Sequence, residues 1–250
     1  MPWTKEPTRS KRVIYEADPN STWYTPPAIV GLAIEVLRSI FLDPCTSDRN
    51  PTGAAVFLTA EIDALATSWP APQQGIPATA WCNPPYGKGI DLWLELLAQW
   101  RAQALATHPE AATLALVPSR PGSRWYARAT QAADIVCELR GRPTFWLEGP
   151  DRSFAPAQHP ARWGCTLLYS GPDRVRVLRR LRAVGAARYG TRRPTAPARP
   201  AAPRTDDRQV ELFPALLPPQ AAAETLDHAW PANVTSIDHK PRRVSARAKR

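Results

Sequence analysis

The chain has 250 residues and a formal net charge of +10, with 32 Lys and Arg against 22 Asp and Glu. That length fits one domain plus tails, and the basic excess points to a polyanionic partner while saying nothing about fold. No segment approaches the roughly 20 apolar residues of a membrane span, and Cys45, Cys82, Cys137 and Cys165 show no metal-ligand spacing, so neither a membrane nor a metal is expected.

In chain order, residues 1–20 are polar and charged, carry no apolar signal core, and read as a flexible segment. Scattered cysteines without such a core fit reduced thiols in a cytoplasm. Trp23-Tyr24-Thr25-Pro26-Pro27 opens a helix, with Thr25 as N-cap and Pro26 as its first residue. Ile29, Ala33, Val36, Leu37 and Ile40 recur at helical spacing. A short strand at Ile40-Phe41-Leu42 delivers Asp43-Pro44 to a loop of turn formers: Ser47, Asp48, Asn50, Pro51 and Gly53. Val56 to Leu65 is mixed and carries no assignment. A strand over 78–82 leads into Asn83-Pro84-Pro85-Tyr86, and Ile90 to Leu105 reads as an amphipathic helix with Trp93, Leu96, Leu97 and Trp100 inward.

A strand over 112–117, a helix over 123–132 and a strand over 135–139 follow. Residues 147–162 read as a charged, proline-bearing loop, 164–169 as a last strand and 174–187 as a basic helix. Strands alternating with helices predict, over residues 21–188, a doubly wound α/β sheet with helices on both faces. Ligands of such sheets bind beyond the carboxyl ends of the strands, so Asp43, Asn83 and Pro118 should converge on one crevice. Residues 189–250 are dominated by Pro, Ala and Arg and predict a disordered tail. The acid-free end from Lys240 to Arg250 is suited to holding phosphates in a salt-sensitive, sequence-independent way.

Asn83-Pro84-Pro85-Tyr86 is the most informative stretch. Consecutive prolines donate no backbone hydrogen bonds and hold the chain extended. What the turn offers is acceptors, the Asn83 side-chain oxygen and the Pro84 carbonyl, beside the flat face of Tyr86. That set fits a planar substrate with an exocyclic amine. The amine's lone pair is delocalised into its ring, and two acceptors holding its two hydrogens favour the form in which that pair points at an electrophile. Tyr86 can stack on the ring, a contact worth about 1–3 kcal/mol for a base.

The chain resembles the phage-type DNA N6-adenine methyltransferases over roughly residues 20–172. The landmarks are Trp23-Tyr24-Thr25-Pro26, Leu42-Asp43-Pro44, Asp63-Ala64-Leu65 with Trp69, Asn83-Pro84-Pro85-Tyr86, Leu116-Val117-Pro118, Arg120 with Trp125-Tyr126, and Gly141-Arg142-Pro143-Thr144-Phe145. The resemblance implies a Rossmann-like methyltransferase sheet dependent on S-adenosylmethionine, and a phage or prophage enzyme that protects DNA from restriction in a bacterial cytoplasm. It implies that Trp23, Thr25, Pro26, Asp43 and Asp63 contact the cofactor, and that Asn83, Pro84, Pro85 and Tyr86 hold an adenine flipped out of double-stranded DNA. The usual cofactor loop is glycine-rich, whereas Asp43-Pro44-Cys45-Thr46-Ser47-Asp48 has no glycine before Gly53.

For duplex contacts the candidates are Arg120, Arg124 and Arg128, and the loop carrying Arg152, His159 and Arg162. In the tail, Gln209-Val210-Glu211-Leu212-Phe213 resembles the Gln-x-x-Leu-Phe peptide that docks on the bacterial sliding clamp, with Gln209, Leu212 and Phe213 as anchors. Two other readings stay open at this point. The same chemistry serves methyltransferases acting on RNA or on protein glutamine, although the latter usually carry an N-terminal helical domain for which this chain has no room. The glycine-poor loop also fits a non-catalytic DNA- or clamp-binding adaptor.

Overall fold

The computed structural model describes residues 23–149 and 151–191. The segment 1–20 and the tail from 192, including Gln209, Leu212 and Phe213, lie outside the described residues. In order come β1 (Trp23–Tyr24), α1 (Pro27–Leu37), β2 (Leu42–Asp43), β3 (Val56–Phe57), β4 (Thr79–Cys82), α2 (Ile90–Ala104) and β5 (Ala112–Pro118). Then follow α3 (Arg124–Ala132), β6 (Ile135–Leu139), β7 (Trp146–Glu148), β8 (Phe154–Pro156), β9 (Cys165–Ser170), α4 (Arg174–Arg182) and β10 (Gly185–Tyr189).

Seven strands form one sheet in the order β10-β6-β9-β5-β4-β2-β3. Strands β3, β2, β4 and β5 run parallel. Strand β9 lies antiparallel between β5 and β6, which leaves β6 parallel to β5, and β10 closes the edge antiparallel to β6. The pleat sends alternate side chains to opposite faces. In β4, Ala80 and Cys82 join Trp93, Leu97 and Trp100 of α2 in one core, while Trp81 joins Leu32, Ala33 and Val36 of α1 and Val177, Leu178 and Leu181 of α4 in the other. Helices therefore cover both faces, as the alternation predicts. Every residue of β5 is buried, which is why it reads as a continuous apolar run.

Four expectations change. Thr25 does not cap α1. Pro26 holds the N-cap position with no side-chain hydrogen bond, and its carbonyl accepts from the N–H groups of Ile29 at 2.8 Å and Val30 at 3.1 Å. The unassigned stretch contains β3, which extends the parallel sheet beside β2. The loop of residues 147–162 contains most of a hairpin, β7 with β8, that pairs with β1 as a small second sheet. Its turn is closed by the Gly149 N–H donating to the Ser153 carbonyl at 2.8 Å and by Ser153 Oγ donating to Asp151 Oδ1 at 2.6 Å.

The basic helix also ends earlier, at Arg182, and residues 185–189 become β10. Without β10 the backbone groups on the outer side of β6 would form an open edge. Gly185 permits the pairing, because a Cβ there would collide with the Glu138 carbonyl oxygen. No helix among the described residues is long and apolar enough to cross a membrane.

Candidate active site

Strands β2, β4 and β5 are parallel neighbours, so their carboxyl ends share one edge of the sheet. Asp43, Asn83 and Pro118 stand there, and a chain of contacts joins them. The Cys45 N–H donates to Asp43 Oδ1 at 3.2 Å, and Cys45 Sγ lies 3.6 Å from the Sγ of Cys82, the residue before Asn83. Pro118 pairs with Cys165 at the start of β9, and Cys165 Sγ lies 3.7 Å from the Tyr86 hydroxyl. The three strand ends are therefore linked through contacts, with Asp43, Pro118 and Cys165 themselves buried.

Asn83 follows β4 and is fixed by its amide. Its Nδ2 donates to Thr25 Oγ1 at 3.1 Å, and Thr25 is only 5% exposed. Asn83 Oδ1 is buried and has no hydrogen-bond partner among the described residues. Pairing is the rule for buried polar atoms and an unpaired one is costly, so an unsatisfied acceptor at a strand end marks a place where a ligand donates. Pro84 behind it is buried, while Pro85 is exposed. Tyr86 is 40% exposed. Its ring meets Phe145 edge-on at 5.9 Å, and its hydroxyl end is tucked onto Cys165. Burial there, ahead of the neighbouring thiols, pushes the phenol well above its ordinary range, so it stays neutral. The exposed part of the residue is left to stack.

Asp43 is 2% exposed. Its Oδ2 accepts from the Thr52 hydroxyl at 2.8 Å and its Oδ1 from the Cys45 N–H. Burial raises its pKa to about 6 despite both bonds, and no cationic side chain among the described residues pairs with it. A carboxylate so placed is suited to a cationic ligand. The loop after it replaces early glycines in another way. Asn50 takes a left-handed conformation at φ 42, a region Asn tolerates. Its side chain then holds the Ala54 backbone, accepting from N–H at 3.1 Å and donating to C=O at 2.9 Å.

Among the other candidates, Trp23 is half exposed and lies edge-on to Phe145 at 6.5 Å. Phe145 thus stands between Trp23 and Tyr86. Asp63 is exposed, and its Oδ1 accepts from the Leu65 N–H in its own turn, so its carboxylate is engaged as a turn cap. Arg152 is committed to Asp48 at 2.9 Å and Glu148 at 3.1 Å. Arg120, Arg124, Arg128 and Arg162 are exposed and form no ion pair among the described residues.

Thr52 and Cys165 escaped the sequence reading. Thr52 sits among turn formers that mask it, and Cys165 looks like any strand residue until β9 is known to run antiparallel beside β5. Surface hollows of about 260 Å3 (Glu35, Arg176, Arg179, Arg180, Ala183) and about 290 Å3 (Pro72, Gln74, Thr107, His108) share no residue with this surface. The exposure of Trp23 and Tyr86 shows it to be an open edge. No group of three His, Cys, Asp or Glu among the described residues is placed to hold a metal ion.

The arrangement thus offers a planar amine an unsatisfied acceptor, an aromatic face and a buried carboxylate nearby. In comparisons with known proteins, no curated protein matches the chain. The model of the DNA N-6-adenine-methyltransferase (Dam) family matches residues 15–158, more than half of its length. The chain belongs to the DNA N-6-adenine-methyltransferase (Dam) family.

Proposed function

We propose that this protein methylates the N6 amine of adenine in double-stranded DNA, with S-adenosylmethionine as donor and Asn83 to Tyr86 as the adenine site. The observation that carries the reading is the buried Asn83 Oδ1, which has no partner among the described residues. The adenine leaves the base stack at a cost of a few kcal/mol. Asn83 Oδ1 accepts one N6 hydrogen and the Pro84 carbonyl accepts the other, which turns the amine's lone pair out of conjugation with the ring. Tyr86 stacks on the base. Holding the amine in this orientation is the main device, and orientation of reactants can supply about 7–11 kcal/mol of barrier reduction.

The residues fit the cofactor. When bound, it supplies an electrophilic methyl group on a cationic sulfonium. Asp43, buried without a cationic partner among the described residues, would hold a positive group of it. Trp23 and the Thr25-Pro26 segment would line the same site. Asp63 is left in its turn role.

The test is transfer from labelled S-adenosylmethionine to unmethylated duplex DNA, with RNA and protein in parallel, followed by nucleoside analysis. N6-methyladenine in the DNA supports the reading. Label in RNA or protein alone contradicts the substrate, and label in none contradicts the activity.

A further inference from the structure

Trp163 precedes β9 and is 44% exposed, although its chain neighbour Gly164 is tied to the end of β5. The Ser119 N–H donates to the Gly164 carbonyl at 2.8 Å. The Ser119 and Tyr126 hydroxyls meet Thr166 Oγ1 at 2.8 and 2.7 Å. The strand beside Trp163 is therefore anchored to β5 and α3, while Trp163 itself stays exposed.

The Arg120 guanidinium lies over the Trp163 ring, 3.8 Å from its centroid. Such stacking holds an otherwise floppy side chain flat and leaves its in-plane N–H groups free. Arg120 makes no hydrogen bond or ion pair with the described residues through those groups. Two residues beyond Trp163, Cys165 carries the Tyr86 hydroxyl. Arg124 and Arg128, one helical turn apart on α3, add two further exposed charges without ion pairs. A flat cation on an exposed indole, beside the adenine site and next to a positive helix face, suits a polyanion with stacked bases.

Resting on the reading of Asn83 to Tyr86 above, we propose that Arg120 and Trp163 form one unit that grips duplex DNA beside the extruded adenine. Trp163 stacks against a base flanking the target. Arg120, held by that ring, takes a backbone phosphate. Trp163 then serves duplex binding and takes no part in holding the cofactor.

The experiment compares wild type, Trp163→Ala, Trp163→Phe and Arg120→Ala on unmethylated plasmid DNA. It reads KM for DNA, kcat, cofactor affinity, thermal midpoint and the salt dependence of DNA binding. Trp163→Ala is expected to raise KM for DNA about tenfold, the scale of one lost base stack, with cofactor affinity and midpoint unchanged. Trp163→Phe should restore most of it. Arg120→Ala should flatten the slope of log affinity against log salt by about 0.9, the value for one phosphate. Active wild type with KM and salt slope unchanged in Trp163→Ala and Arg120→Ala would overturn the proposal alone. A wild type that labels no DNA would overturn it together with the reading beneath it.

Discussion

Thr25 Oγ1 accepts a hydrogen bond from Asn83 Nδ2 at 3.1 Å, across 58 residues of sequence. The bond joins the start of α1 to the end of β4 and anchors the Asn83 amide through Nδ2. With Nδ2 engaged, Oδ1 is the end left without a partner among the described residues. Thr25 therefore acts on the proposed adenine site through Asn83.

Thr25→Val keeps the shape and removes the hydroxyl. It leaves the amide free to rotate and present a donor to the substrate's own donors. A lost hydrogen bond to a buried group costs about 1–3 kcal/mol, so kcat should fall about 10- to 100-fold. Thr25→Ser should recover most of the rate. Steady-state kinetics on DNA check this, and a Val variant as active as wild type would show that Asn83 is held by other means.

Tyr86 separates stacking from its hydroxyl. The hydroxyl's contact among the described residues is a sulfur at 3.7 Å, a weak one, and the residue is 40% exposed. Tyr86→Phe should therefore keep most turnover. Tyr86→Ala should lose the base stack, about 1–3 kcal/mol or roughly 5- to 150-fold in kcat/KM for DNA. Single-turnover rates at saturating cofactor make the comparison, and an active Ala variant would remove Tyr86 from the adenine site.

Asp43 carries a pH signature. Its folded pKa of about 6 lies above the ordinary 3.8. Between those values the folded protein holds a proton that the unfolded chain has lost. Stability therefore falls as pH rises through that window and is level above it. The gap corresponds to about 3 kcal/mol at neutral pH. Asp43→Asn keeps the shape without the charge. It should be more stable than wild type at pH 8 by up to about that amount, with the difference shrinking toward pH 5. Cofactor affinity should move the other way, weaker in the variant at pH 8. Denaturation midpoints and cofactor titrations at the two pH values check both, and a variant destabilised at pH 8 would contradict the charge argument.

How far the sequence discloses this molecule differs from element to element. The turn at Asn83 to Tyr86 stands out because two prolines leave a polar turn few structural uses. Strand β5 and helix α2 are legible because burial imposes an unbroken apolar run on one and a helical period on the other. Strands β7 and β8 are not, since each has three residues and the turn between them fills the stretch with charge and proline. Strand β10 carries two alanines and an arginine that suit a helix as well as a strand, and only the need to cover β6 decides it. The pairing of Thr25 with Asn83 was out of reach, because Thr25 looks like the N-cap of the helix that follows it. Tyr86 on Cys165 depends on a strand direction that local pattern does not encode.

The central claim is that Asn83 Oδ1 holds the target amine. The most direct measurement is the rate of methyl transfer to duplex DNA by Asn83→Ala, beside cofactor affinity in the same preparation. The account predicts a loss of about 10²–10³ in rate, the usual effect of removing one well-placed polar group, with cofactor affinity unchanged. A variant that still forms N6-methyladenine at close to the wild-type rate would contradict it.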